Sequence, residues 1–466
     1  MKRWLAMGTG LWLMISASGA VSSAEAAVTA ADEPATWPLR LSDLHSSFVL
    51  AQQRAALLRE LKDKKIRDTF AQPLTTATEA GWRGGLWAAG LLQQRDATVR
   101  EALRTLLRAH ASLGAETQRQ ALETAYGLFP SEFADEMSSV VQTTTNPKLF
   151  AMAALHLMRQ RGAGRKAWPD VAALMRQQFP RWRTEPILLA LEADATCGRA
   201  SGLPMRKPPP LEPLLAPSFA PGRPVIYSLQ RRNRDYEGRA IVRRADGRFV
   251  RNPDGSLFSV GQMARSNSNL PGYLTNGNTP QGVFTIVGLG VARTNKFIGP
   301  TPFLESMLPV EATPDTWFHD PALAGTSWTL EMYLSFLPPG EWRVAASMLE
   351  AWYAGTAGRS EMLTHGTCID PDYYKGMPWH PNSPSLGCLT ALELWDGASG
   401  RALRSDQLSL VQAFMAAAAN RDLSGAPPGP ASQPKGYLVV IEISDEARPV
   451  SPSEAERLVR RTSRQK

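Results

Sequence analysis

Thr364-His365-Gly366-Thr367 and, after a loop, Ser385-Leu386-Gly387-Cys388-Leu389-Thr390 are the two short segments that decide how the second half of this chain is read. A cysteine thiol is a poor nucleophile at neutral pH. A neighbouring imidazole can take its proton and stabilise the thiolate as an ion pair. Small residues beside Cys388 let the backbone approach a substrate carbonyl. The N–H groups around Gly387 and Cys388 can then donate to a tetrahedral oxyanion. The histidine needs a third group to fix its tautomer, and the nearest backbone carbonyl is that of Gly366. The expected catalytic set is therefore Cys388, His365 and Gly366. Gly387, Ser385, Thr367 and Thr390 are the expected oxyanion or substrate contacts. His380 joins them from the loop between the segments. Tyr333 joins them from a run, Trp328 to Phe336, read as a strand that either lines the cleft or packs in the core.

These residues resemble the L,D-transpeptidase family, whose catalytic domain is of the YkuD type. The match covers His365, Gly366, Thr367, Ser385, Gly387, Cys388 and Leu389. Upstream, Asn278-Thr279-Pro280-Gln281-Gly282-Val283-Phe284-Thr285-Ile286 is similar to the family's T-P-x-G-x-F-x-I segment, in the same order along the chain. Leu386 stands where many members have His, and Thr390 where Asn or Arg is usual. The 23 residues from His365 to Cys388 are more than is typical, which implies a reshaped rim. A segment between about Gly290 and Leu363 is extra and reads as an inserted lid or cap. The resemblance implies a peptidoglycan L,D-transpeptidase that cross-links stem peptides through a Cys388 thioester. The linkage is open between the third stem residue and the first, L-Ala to diaminopimelate. Water as acceptor would give an L,D-carboxypeptidase or amidase instead. A non-catalytic scaffold that binds peptidoglycan is the reading from a different class.

Working outward, the fold class is α+β. Residues 1–26 read as a signal peptide, with Lys2 and Arg3, an apolar stretch, and small residues up to Ala24-Glu25-Ala26. The mature protein is expected in the periplasm, with no integral membrane segment after processing. Residues 27–202 read as a helical domain, either a bundle or an α-solenoid. Thr98-Val99-Arg100-Glu101 reads as a capping box, Asn146-Pro147 as a helix start, and Trp168-Pro169-Asp170 as another. This half is the expected surface for an envelope protein partner. Eight prolines between Leu203 and Pro224 mark a semi-rigid linker, 203–222. Residues 223–447 are then β-rich, with Asp246-Gly247 as a hairpin turn and helices over Glu341 to Ala354 and Ser405 to Ala419. Residues 448–466 form a basic tail whose short helix is capped by Ser451.

The chain carries a net charge of +8. No basic patch is interleaved with aromatics, so nucleic acid is not an expected partner; peptidoglycan stem peptides are. The three cysteines, Cys197, Cys368 and Cys388, leave at least one unpaired in an oxidising compartment, and catalysis is one reason to keep a free thiol. A zinc set of His365, Cys368, His380 and Cys388 is the competing reading. Its spacing lacks the tight Cys-x-x-Cys or His-x-x-x-His pairs of structural sites, so neither metal nor cofactor is expected.

Overall fold

The structure, a computed structural model, describes residues 39–160, 164–201, 205, 208–292, 295–418 and 434–463. The expected signal peptide lies outside the described residues, as does the side chain of Cys197.

The first half is helical. α1 (Ala51–Arg59) continues into a π-helical stretch, Glu60–Asp68. It is followed by α2 (Glu79–Leu92), α3 (Ala97–Arg108), α4 (Ala115–Leu128), α5 (Ala134–Thr143), α6 (Pro147–Arg159), α7 (Gly164–Gln178) and α8 (Pro186–Cys197). α2, α4, α6 and α8 pack side by side as one row, and α3, α5 and α7 form a second row against it. Of the two architectures the sequence leaves open, this stacking of consecutive hairpins is the solenoid. Asn146 caps α6 as its sequence predicts: its Oδ1 accepts the N–H groups of Lys148 at 2.9 Å and Leu149 at 3.3 Å, and Pro147 opens the helix. Two other starts differ. The cap of α3 is Asp96, whose carboxylate accepts the Val99 N–H at 3.0 Å, so Thr98 lies inside the first turn. α7 begins at Gly164, which leaves Pro169 within the helix at the cost of one backbone hydrogen bond.

The second half holds α9 (Glu212–Leu215), β1 (Val225–Arg231), β2 (Gly238–Arg243), β3 (Ser259–Gln262), β4 (Gly282–Gly290) and β5 (Phe303–Met307). Then come α10 (Pro314–Phe318), α11 (Leu330–Phe336), α12 (Glu341–Val344), α13 (Glu350–Thr356), β6 (Met362–His365), β7 (Leu389–Thr390), β8 (Glu393–Trp395) and β9 (Ala402–Ser405). α14 (Asp406–Ala418), β10 (Gly436–Ser444) and α15 (Pro452–Ser463) complete it. Eight strands make one sheet in the order β3-β2-β1-β10-β4-β5-β6-β7, and β8 with β9 is a separate ribbon. The β1–β10 and β6–β7 pairs are parallel. Because side chains alternate along a strand, the central strands feed two cores. Ile226, Phe284, Leu438 and Val440 pack on Leu410, Val411 and Phe414 of α14. Tyr227, Val283, Tyr437 and Val439 pack on Trp317, Tyr333 and Trp342.

That second core corrects one expectation and takes in further stretches. The run from Trp328 to Phe336 is not a strand; Thr329 caps α11 by accepting the Met332 N–H at 3.3 Å, and Leu330, Tyr333, Leu334 and Leu337 recur at helical spacing. The inserted segment spends its large side chains on one face of the sheet, as a layer of the core. The proline-rich stretch does not stand free either. Leu211, Leu214, Leu215 and Phe219 are buried, the Trp342 indole donates to Pro210 O at 2.9 Å, and Arg243 donates to the carbonyls of Ala216 and Phe219. The basic C-terminal segment is docked likewise. Ser451 Oγ accepts the Glu454 N–H at 3.1 Å, Glu454 meets the buried Arg231 at 2.6 Å, and Ala455 and Val459 are covered.

Candidate active site

His365 ends β6. β5 pairs with β6 on one side, Leu304 with Thr364 and Glu305 with Leu363. On the other side β7 runs parallel, with Thr364 beside Leu389 and His365 beside Thr390. Alternation along the strands puts Leu363 and His365 on one face, with Cys388 and Thr390 on the neighbouring chain facing the same way. Cys388 thus stands two residues before the partner of His365. Parallel pairing at the sheet edge brings the two segments together across the long loop.

His365 is 6% exposed, and its Nδ1 donates to the Gly366 carbonyl at 2.7 Å, which leaves Nε2 as the acceptor nitrogen. Burial holds the imidazole below its ordinary pKa, against the opposing pull of the Gly366 bond. Burial pushes the Cys388 thiol up. The Leu363 N–H and the Arg359 charge pull it back, and Glu361 and Glu311 add to the rise. The two shifts run in opposite senses, and each disfavours the charged form of its group. The sulfur lies on the edge of β6: it accepts the Leu363 N–H at 3.4 Å and donates to the Glu361 carbonyl at 3.6 Å. Among the described residues it makes no hydrogen bond to His365.

The nucleophile turn is closed by Ser385. Its hydroxyl accepts the Gly387 N–H at 2.9 Å and donates to the Cys388 carbonyl at 2.8 Å. Ser385 is therefore a brace of the turn, and the Gly387 N–H is occupied. The Cys388 N–H has no acceptor among the described residues. Gly387 sits at φ +123°, where a side chain is disfavoured, and an added Cβ would overlap the Arg359 guanidinium. Thr279 Oγ1 donates to the Gly387 carbonyl at 2.8 Å, tying the upstream Thr-Pro segment to the turn.

Other expected contacts lie elsewhere. Thr367 Oγ1 donates to Phe297 O at 3.2 Å and accepts the Ile369 N–H at 3.0 Å, so it shapes the loop after His365. Thr390 is on the right face, but its hydroxyl is spent on Ser383 O at 2.6 Å. Tyr333 is fully buried, donating to Met348 O at 2.7 Å and accepting the Val283 N–H at 3.1 Å; it belongs to the core. His380 is exposed on a loop whose Tyr374 and Trp379 pack with Met263, and no described contact brings it to Cys388. The four residues of the zinc reading do not converge. Cys368 is buried, its thiol donates to Ser46 Oγ at 3.3 Å, and burial pushes it up to about 12. Cys368 and Cys388 are both free thiols.

Three residues near the sulfur had no sequence signal. Arg359 is 6% exposed and donates to the carbonyls of Gly272, Gly277 and Asn278. Glu361 sits at φ +62° with its carbonyl on the thiol. Its N–H is held by Glu311 at 2.9 Å, and burial pushes Glu311 up to about 7. A fourth, Glu393, lies behind Gly366, where an added Cβ would overlap its carboxylate.

The helical half reaches the same turn. Lys148 Nζ donates to Thr275 Oγ1 at 2.9 Å, Asn276 donates to Glu123 at 3.2 Å, and Gln93 donates to Asn267 O at 3.3 Å. The Asn267 N–H in turn donates to Ser385 O at 2.9 Å. A narrow crevice between the halves is lined by Trp87, Gln120, Glu123, Gly127, Asn276 and Leu386. The row of α2, α4, α6 and α8 is thus a wall beside the nucleophile turn.

Compared with known proteins, the chain matches no family model, no curated protein and no solved structure.

Proposed function

We propose that this protein is a cysteine-dependent acyltransferase of the L,D-transpeptidase type, acting on peptidoglycan stem peptides in the periplasm. One observation carries the reading. The two segments that resemble the family, 278–286 and 385–389, meet at Gly387, where Thr279 Oγ1 holds the carbonyl beside the nucleophile. A resemblance in two separate stretches gains weight when the stretches touch at the reacting residue.

In this reading the stem-peptide carbonyl enters beside Cys388. The sulfur turns off the β6 edge, and His365 Nε2 takes its proton as the C–S bond forms. The oxyanion is received by the Cys388 N–H. His365 returns the proton to the leaving amine, and a thioester remains on Cys388. The amine of a neighbouring stem then attacks the thioester carbonyl and gives its proton to His365; the C–S bond breaks as the cross-link closes, and His365 returns the proton to the Cys388 sulfur. The helical half walls the donor side. Its α3–α5–α7 row is the surface left for an envelope partner.

The test is mass spectrometry of muropeptides incubated with the purified full chain. Cross-linked dimers support transfer, and tandem fragmentation places the bond at the first or third stem residue. Shortened monomers without dimers move the assignment to hydrolysis. Neither product, with an intact folded protein, leaves the scaffold reading.

A further inference from the structure

We propose that Arg359 is the positioning residue of the nucleophile turn, and that its guanidinium supplies the positive charge facing the Cys388 sulfur when the thiolate forms. The inference rests on the cysteine-nucleophile reading above.

The guanidinium is buried, with three backbone carbonyls, Gly272, Gly277 and Asn278, as acceptors. Among the described residues no carboxylate lies within ion-pair distance of it. A buried cation whose direct partners are carbonyls favours an anion placed nearby. Two acidic groups act on the guanidinium, Cys388 first and Glu311 second. Gly387, its neighbour, has no side chain where the Arg359 Nη2 lies, and the Gly277 carbonyl that accepts from Nη2 is 2.6 Å from that same space. The arginine therefore packs flat against the turn and fixes the loop that carries Thr279. Burial lowers the guanidinium to about 10, so it stays charged at neutral pH, and the mutual attraction with Cys388 acts on both groups.

Other groups act on the sulfur. The Leu363 N–H bonds to it, the Glu361 carbonyl accepts from it, the Glu311 and Glu361 carboxylates place negative charge near it, and His365 shares its face. Of these the charged ones oppose a thiolate. Among the described residues Arg359 is the one cation that acts for it, and it is the same residue that holds the turn.

The experiment follows alkylation of Cys388 by iodoacetamide against pH, read on the Cys388 peptide by mass spectrometry so that Cys197 and Cys368 do not interfere. Full-length wild type, Arg359→Gln, Arg359→Met and Arg359→Lys are compared. The neutral variants are expected to raise the midpoint by about one pH unit and slow alkylation at neutral pH roughly ten-fold. Arg359→Lys, which keeps a charge, is expected to stay within about half a unit of wild type while transfer turnover falls, because an ammonium cannot hold three carbonyls in the same fork. Folded neutral variants with the wild-type midpoint overturn the inference. If neither neutral variant folds, Arg359→Lys decides: a midpoint near wild type supports it, and an upward displacement or failure to fold overturns it. Because the probe is not a peptide, a midpoint shift without muropeptide turnover in wild type retires the proposed function and keeps Arg359. Turnover without a shift does the reverse.

Discussion

Thr279 and Gly387 are far apart in the chain, yet the Thr279 hydroxyl donates to the Gly387 carbonyl at 2.8 Å. The bond fixes the peptide that precedes the nucleophile, so its loss lets Cys388 drift. Thr279→Val keeps the shape and removes the donor. The stability cost is about 1 kcal/mol. The expected loss in turnover is much larger, roughly a hundred-fold, since small misplacements of a reacting group are costly. Thr279→Ser should recover most of it. A steady-state comparison of the three proteins with matched unfolding curves tests this; equal activity in Thr279→Val would remove the bond from the mechanism.

Gly387 is constrained twice, by its φ of +123° and by the guanidinium beneath it. Gly387→Ala must strain the backbone, at about 1–3 kcal/mol, and also push Arg359 aside. The neighbouring Gly277 carbonyl is backbone and cannot yield easily. Loss of Cys388 alkylation at neutral pH in a protein that still unfolds cooperatively is the expected outcome. A variant with normal alkylation would mean that the turn has more room than the geometry allows.

Glu393 is buried behind Gly366 and pushed up to about 7 by desolvation, against the hydrogen bond from Ser405 Oγ at 2.7 Å. The unfolded chain releases this proton near 4.5, the ordinary glutamate value. Between those two values the folded state binds more protons, so stability falls as pH rises and the penalty is complete above about 7. Glu393→Gln removes the charge and keeps an acceptor for Ser405. Thermal unfolding should match wild type at low pH and exceed it above neutrality, by on the order of a few kcal/mol. A less stable variant at alkaline pH would show that the ionised carboxylate is a useful anion.

Leu270, Tyr273 and Leu274 belong to the sheet domain by sequence, but they are buried in the core of the helical array. The two halves therefore share apolar surface next to the active site. Leu274→Ala is expected to cost about 2–5 kcal/mol. Calorimetry should show one cooperative transition moved downward for the whole chain. Two separated transitions would mean that the halves unfold independently and that the wall beside the turn is loosely held.

What could be read from the sequence follows local chemistry. The central strands show as near-continuous apolar runs, because both of their faces are buried. Asn146-Pro147 announces its helix, and the His365 and Cys388 segments carry their own small-residue pattern. The misreadings come where one pattern serves two structures. The run from Trp328 to Phe336 is rich in residues that suit a strand, and the cap at Thr329 decided for a helix. Eight prolines break regular structure, but they do not keep Leu214 or Phe219 in water. Arg359 was invisible because nothing local marks it. Its meaning comes from Gly272, Gly277, Asn278 and Gly387, which only the fold brings to it. Ser385 and Thr390 lie close to Cys388 in the chain, and their hydroxyls are occupied by backbone carbonyls, a fact of pairing that spacing does not encode.

The central claim is that Cys388 carries the acyl group. Intact-protein mass spectrometry of the full chain, quenched in acid after mixing with a disaccharide-peptide donor, tests it directly. The account predicts a hydroxylamine-labile adduct of the donor mass minus its leaving group, mapped to the Cys388 peptide. The adduct is absent in Cys388→Ala and reduced in His365→Ala. Cross-linked or trimmed muropeptides produced by Cys388→Ala, or turnover by wild type through an adduct on another residue, would contradict it.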